Sequence, residues 1–404
     1  MKIGIIREGK NPPDSRVPLT PEQCAFIRQQ GIDLVVQPSP NRCYSDAEYI
    51  DAGVPLQDDM DDCDVLMGVK EVPVDLLLAG KTYFFFSHTI KEQAYNRKLL
   101  REILEKNIRL IDYEVLTDDK GVRVIAFGKF AGMVGAHNAL WTYGKRTGAF
   151  SLPRMKDLHD YAAAREVYKA MQWPAIKIVL TGTGRVGKGS ALVLDDMGIK
   201  KVSPEEFLTK EFSEAVYTQL KCNDYVARKD DKPFVHNDFY AHPKEFKSTF
   251  APYFQQADIM INGIYWDNDA PAFFTVEEMQ SKDFKIEVIA DVTCDIAPVS
   301  SIPSTLKAST IADPVFGFDP TTGEETQPYQ DEMVDMMTID NLPNELSRDA
   351  SEAFGKQFLS FVFEELRSPE SSKLLERATI TRDGHLTERY AYLQGFVDAE
   401  TAGA

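Results

Sequence analysis

Three glycines, Gly182, Gly184 and Gly187, stand between the apolar run IKIVLT and the helix-compatible VGKGSALVLDDM. A G-x-G-x-x-G spacing at a strand-to-helix junction leaves a chain few folds to choose from. The first glycine permits a tight turn, the second lets backbone amides approach an anion, and the third lets the helix pack close to the strand. Alone, the spacing would serve any tight turn; its two flanks make it one β-α unit of a doubly wound parallel sheet. The helix N-terminus behind the turn favours a pyrophosphate, so a dinucleotide is the expected ligand.

The same grammar occurs twice. KIGIIR, DLVVQ, DVLMGV, TYFFFS and IRLIDY read as strands in the first third, with helical patterns in PEQCAFIRQQG and EQAYNRKLLREILEKN between them. A helix-compatible stretch runs from Gly132 to Arg146, and MKDLHDYAAAREVYKAMQW reads as another helix. After the glycine loop come ADIMINGIYW, EVIADVTCD and MMTIDNLP, then the long amphipathic pattern NELSRDASEAFGKQFLSFVFEEL. The expected architecture is two Rossmann-like doubly wound α/β domains with an interdomain cleft. Residues 1–133 and 345–404 form a discontinuous substrate domain in this reading, and 134–344 the dinucleotide-binding domain. The polar and aromatic stretch from about Lys210 to Phe250 takes no assignment.

At 404 residues the chain has room for two or three domains of roughly 100–200 residues each. A net charge of -18 disfavours nucleic acid as a partner. No run approaches the roughly 20 apolar residues of a membrane span. MKIGIIREGK lacks the apolar centre of a signal peptide, so the chain reads as cytoplasmic. Cys24, Cys43, Cys63, Cys222 and Cys294 are far apart, without a C-x-x-C pair, and read as free thiols with no metal site. The expected partners are small molecules, and the oligomeric state is not fixed by the sequence.

Between Val65 and Gly128 the apolar runs repeatedly end on ionisable residues, in VLMGVKE, TYFFFSHTIK, LIDYE and GVRVIAFG. Lys70, Glu71, His88, Glu114 and Arg123 are thereby expected at strand ends, where loops converge. Each alone has a bland reading, as an edge ion pair, a satisfied core histidine or a cap. Several together point to a site, because burying such groups is costly unless they pair or work. For the cofactor, Ser203 ends the next strand-like run, IKKV, where NAD enzymes usually carry an acid. A serine beside Lys200 and Lys201 favours NADP(H), with NAD(H) left open because Glu205 or Glu206 could supply the acid.

RVPLTP (16–21), GVKE (68–71), KTYFFFSHTIK (81–91), RLIDYE (109–114), GVRVIAFG (121–128), INGIYW (261–266) and IDNLPNELSRDASE (339–352) closely resemble the lysine-ketoglutarate reductase domain of animal aminoadipic semialdehyde synthase. The likeness continues into ATITRDGHLTERYAYLQ. More distantly, the chain is similar to fungal lysine-forming saccharopine dehydrogenase and to alanine dehydrogenase. The resemblance implies that lysine and 2-oxoglutarate condense to an imine, which a nicotinamide hydride reduces to saccharopine, or the reverse. It implies an acid-base pair in Lys70 and His88, with Glu71 and Glu114 adjusting them. Arg16 and Arg123 match substrate-carboxylate residues, and Lys91 and Gln93 assist from the same loop. The expected cofactor contacts are Gly182, Gly184, Arg185, Val186 and Gly187, with Ser203, Asn262 and Gly263, and the resemblance adds Asp340 near the nicotinamide. The animal-type reductase uses NADPH. Two departures stand out: the animal enzymes carry a second fused domain, and the fungal enzymes carry an acid where this chain has Ser203. Two other readings are an NAD-linked saccharopine or alanine dehydrogenase type, and a dinucleotide-binding regulator without turnover.

Overall fold

The computed structural model describes residues 1–368 and 371–399; residues 400–404, the end of the expected substrate domain, lie outside them. The chain divides into two compact units, Met1–Phe127 with the described residues from Ser347 onward, and Gly128–Leu346.

The first unit is built on strands β1 (Lys2–Ile5), β2 (Asp33–Val36), β3 (Val65–Met67), β4 (Thr82–Phe85) and β5 (Arg109–Asp112). They pair in parallel in the order β5-β4-β3-β1-β2, and the antiparallel strands Thr379–Arg382 and His385–Leu386 extend the sheet beyond β5. Both faces are covered, which is why these runs are apolar throughout. Ile3, Ile5, Val65, Met67, Phe84 and Ile111 enter one core, shared with Phe354 and Phe358 of the helix Ser347–Phe361. The alternate residues Leu66, Tyr83, Phe85 and Leu110 enter the other, with Leu99, Leu100 and Ile103 of the helix Arg97–Glu105. Tyr113 meets Phe354 edge to face at 4.8 Å, a pairing that adds about 1 kcal/mol to its burial. The chain reverses its strand order between β1 and β3. Ligands of open α/β sheets bind at such a switch, outside the carboxyl ends of the strands.

The second unit opens with the helix Gly128–Thr147 and contains β6 (Lys177–Thr181), β7 (Lys200–Lys201), β8 (Val216–Leu220), β9 (Val226–Arg228), β10 (Phe246–Ser248), β11 (Ile259–Asn262), β12 (Val288–Asp291), β13 (Val315–Asp319), β14 (Glu324–Thr326) and β15 (Val334–Met337). Its main sheet runs β14-β13-β15-β12-β11-β6-β8-β7, parallel except at β13 and β14. Strand order reverses about β6, so the glycine turn lies at this sheet's switch point. The unassigned stretch holds β8, the antiparallel pair β9–β10 and the short helix His236–Ala241, and its aromatics Phe239, Phe246 and Phe250 join the core beside Val179 and Met260.

Candidate active site and dinucleotide site

In the first unit most of the candidate side chains gather just beyond the carboxyl ends of β1, β3, β4 and β5. Lys70 lies three residues past β3 and is half-buried. Its ammonium makes no hydrogen bond or ion pair among the described residues, while its backbone N–H donates to Glu8 at 2.9 Å. Burial first, and then the Arg16 guanidinium, hold its pKa below the usual lysine range.

His88 follows β4 in a left-handed backbone conformation, φ 54°, which costs a non-glycine residue roughly 1 kcal/mol or more. That turn lays its ring over Phe86, with centroids 6.4 Å apart, and brings Nδ1 within 2.5 Å of Glu71 Oε1. Lys10 donates to the other Glu71 oxygen at 3.0 Å. Burial pushes the Glu71 carboxyl up, but the His88 hydrogen bond and charge, with Lys10, outweigh it and hold the pKa at about 2. The turn itself is anchored below, where the buried carboxylate of Asp112 accepts from Ser87 N and Oγ.

Asp112 also caps the short turn Tyr113–Val115, accepting from Glu114 N at 2.7 Å. Glu114 Oε1 then receives Arg123 at 3.1 Å and Lys91 at 3.4 Å, while its Oε2 is buried without a hydrogen bond. Arg123 is not at a strand end as expected: GVRVIAFG forms a loop with a single bridge to Thr117, because its apolar residues fill the core beneath helix Ser347–Phe361 instead of a sheet position. Gln93 is exposed and accepts from Tyr95 OH. Arg16 is only 3% exposed, doubly bonded to Asp14, and stacked over Phe127 at 4.3 Å. RVPLTP holds it there, since Val17 N donates to Ser351 and Thr20 forms a capping box with Gln23 at the start of the helix Pro21–Gln29.

In the second unit Gly182 has φ 93°, a conformation that suits glycine, and a Cβ there would lie 2.5 Å from Gly263 O. A Cβ on Gly187 would overlap Gly182 O. At Gly184 nothing lies within 4 Å of that position. The turn is thus closed toward the protein and open at the helix start, Arg185, which fits a bound pyrophosphate. Arg185 is exposed and Val186 half-buried beside Gly263. Asn262 spends its side chain inside the unit, accepting from Thr181 and donating to Asp291 and Ser301. Asp340 is exposed just beyond the bridge between Ser309 and Ile339.

The strand beside β6 is β8, not β7, which corrects the premise behind Ser203. Gly182 N donates to Leu220 O, so the residue past the neighbouring strand's end is Lys221. Ser203 instead caps the helix Pro204–Thr209, accepting from Glu206 N. Lys200 is paired with Glu214 and Lys201 with Gln219. Beyond β8 and β11, Tyr225, Phe239, Tyr240, Ile264, Tyr265 and Trp266 line a largely apolar pocket of about 160 Å³.

Glu8, Lys10 and Asp14 join the site beside the residues expected there. The strand-end signal that marked Lys70 was present in KIGIIREGK, where charges follow the first strand.

Residues 4–134 match the model described as Alanine dehydrogenase/PNT, N-terminal domain. The mouse mitochondrial alpha-aminoadipic semialdehyde synthase is 31% identical over 97% of this chain and 47% of its own length. The Arabidopsis thaliana alpha-aminoadipic semialdehyde synthase is 32% identical over 97% and 41%. This chain therefore spans about half the length of those relatives. It is 28% identical to the Emericella nidulans saccharopine dehydrogenase [NAD(+), L-lysine-forming], covering 93% of this chain and 95% of that one. A solved L-alanine dehydrogenase shares the fold over 98% of this chain and 99% of its own, with a TM-score of 0.67 at 15% identity. By sequence the chain is similar to the aminoadipic semialdehyde synthases and the lysine-forming saccharopine dehydrogenases, its residues 4–134 match the alanine dehydrogenase/PNT N-terminal domain, and its fold is that of an alanine dehydrogenase.

Proposed function

We propose that the chain is an NAD(P)-dependent oxidoreductase acting on CH–NH bonds, which interconverts L-lysine, 2-oxoglutarate and NADPH with saccharopine and NADP. The observation that carries this reading is Lys70, a desolvated and unpaired ammonium beside a His88–Glu71 pair. With its pKa lowered, Lys70 takes the proton that the substrate ammonium must lose before it attacks the ketone carbon. His88 Nδ1 is held by Glu71, so Nε2 is the atom left to give a proton to the hydroxyl that departs as water. Arg123, anchored by Glu114, offers a guanidinium to a substrate carboxylate, with Lys91 beside it. Arg16, already doubly bonded to Asp14, acts there chiefly by its charge. The nicotinamide cofactor supplies the hydride that reduces the imine carbon.

Gly182, Gly184 and Gly187 hold the pyrophosphate in this reading, and the aromatic pocket beyond β8 and β11 receives the purine. Lys221 supports NADP, since it places a cation where a 2'-phosphate would otherwise meet a carboxylate. A second reading, NAD dependence, is favoured by Asp224, which sits in the same turn and accepts from Lys221 N. The test follows reduced-cofactor absorbance with NADPH or NADH, 2-oxoglutarate and lysine, against pyruvate with ammonia. Oxidation requiring both lysine and 2-oxoglutarate is expected; turnover with pyruvate and ammonia alone would replace this function with an alanine dehydrogenase activity.

A further inference from the structure

Glu8 takes no part in the chemistry above, yet it is a half-buried carboxyl at the switch point of the first unit's sheet. It lies three residues past β1, and its two oxygens reach across to the segment that follows β3. Oε1 accepts from Val69 N at 2.6 Å and Oε2 from Lys70 N at 2.9 Å. Gly68 leaves the room for this approach, since a Cβ there would stand 3.3 Å from Glu8 Oε1. From the other side, Phe86 N donates to Val69 O. The peptide carrying Lys70 is therefore clamped between β1 and β4.

We propose that Glu8 is the positioning residue for Lys70: its bridge from β1 to the two amides holds the lysine's ammonium where it stays desolvated and unpaired. This rests on the reading of Lys70 as the proton acceptor. A backbone donor buried without a partner is costly, so the two amides would move toward water or another acceptor if Glu8 were truncated. Movement of that peptide carries the lysine side chain with it and returns the ammonium to solvent. The groups that act on Glu8 by charge are Asp14 and Arg16, and Tyr113 feels its charge in turn; burial, and then Asp14, raise its pKa to about 8 against the Val69 and Lys70 amides and the Arg16 guanidinium, which lower it. Because the Val69 and Lys70 amides take one oxygen each, Glu8 serves as a fixed acceptor within the fold and not as a partner of the ammonium.

The test is amine labelling, which needs no turnover. The purified protein is treated with trinitrobenzenesulfonate across a pH series, and labelling of Lys70 is read by peptide mass spectrometry. In the wild type, Lys70 labels with a midpoint below that of the exposed Lys169 and Lys244. Glu8→Ala is expected to raise the Lys70 midpoint by about one pH unit, to leave those two lysines unchanged, and to lower kcat at least tenfold at constant KM for NADPH. Glu8→Gln, whose amide oxygen can still accept, should fall between the two and serves if the alanine variant does not fold. A folded variant whose Lys70 midpoint equals that of the wild type overturns the proposal. If the midpoint shifts as expected but Lys70→Met still turns over, the positioning stands and the proton-acceptor reading fails.

Discussion

The two units each place a candidate site beyond the carboxyl ends of parallel strands at a switch in strand order, but they build it from opposite materials. In the first unit the site consists of charged side chains that alter one another's pKa: Lys70 held down, Glu71 held at about 2, His88 tied to Glu71. In the second it consists of backbone and of side chains that are absent, at Gly182, Gly184 and Gly187. Function in the first unit should therefore be lost by removing atoms, and in the second by adding them.

The largest effect that tests this contrast comes from the second unit. Gly187→Ala puts a methyl group into Gly182 O, and overpacking of that kind costs about 1–3 kcal/mol. Dinucleotide affinity measured by fluorescence titration should weaken on the order of 100-fold, corresponding to the upper end of that range. Binding within twofold of the wild type would remove the glycine turn from the cofactor site.

In the first unit, Glu71→Gln keeps the shape and removes the charge. Because the folded Glu71 value lies below its ordinary 4.5, its ion pairing stabilises the protein above that pH and is lost as pH falls toward about 2. Chemical denaturation between pH 5 and 3 should therefore show a steeper loss of stability in the wild type than in Glu71→Gln. The variant's kcat should also fall by roughly tenfold to 100-fold, as expected when a general acid loses its orienting partner. Parallel stability curves would show that the pair with His88 carries no charge coupling.

How much of this was legible in the sequence differs between the units for the same physical reason. The glycine turn was fully readable because its constraint is local: three residues fix one turn. Lys70, Glu71, His88 and Glu114 were readable as charges closing apolar runs, and the structure brings Glu71 to His88, and Arg123 and Lys91 to Glu114. The partners across the sheet were not readable. Glu8 and Asp14 act on Lys70 and Arg16 through strand adjacency and a loop, neither of which leaves a spacing signal. The strand premise behind Ser203 is out of reach of local spacing for that reason too: β7 is two residues long, and β8 takes its place beside β6. The stretch from about Lys210 to Phe250 is hard to read because, after β8, its strands β9 and β10 are three residues each, too short to show a period.

That correction sets the smallest predicted effects. Lys221→Asp should lower the NADPH to NADH ratio of kcat/KM by about tenfold, the size of one charged contact to the ribose phosphate. Ser203→Ala should cost about 1 kcal/mol of stability through the lost helix cap and leave that ratio unchanged. The reverse pattern would return cofactor choice to Ser203.

The central claim is that a desolvated, unpaired lysine moves the proton in this site. It is tested most directly by Lys70→Met, with kcat measured at saturating lysine, 2-oxoglutarate and NADPH, and NADPH affinity measured separately by fluorescence. The expected result is a kcat lower by about 10²–10⁴-fold, the usual contribution of a general acid-base group, with cofactor affinity within twofold. A variant that keeps kcat within threefold of the wild type would contradict the account.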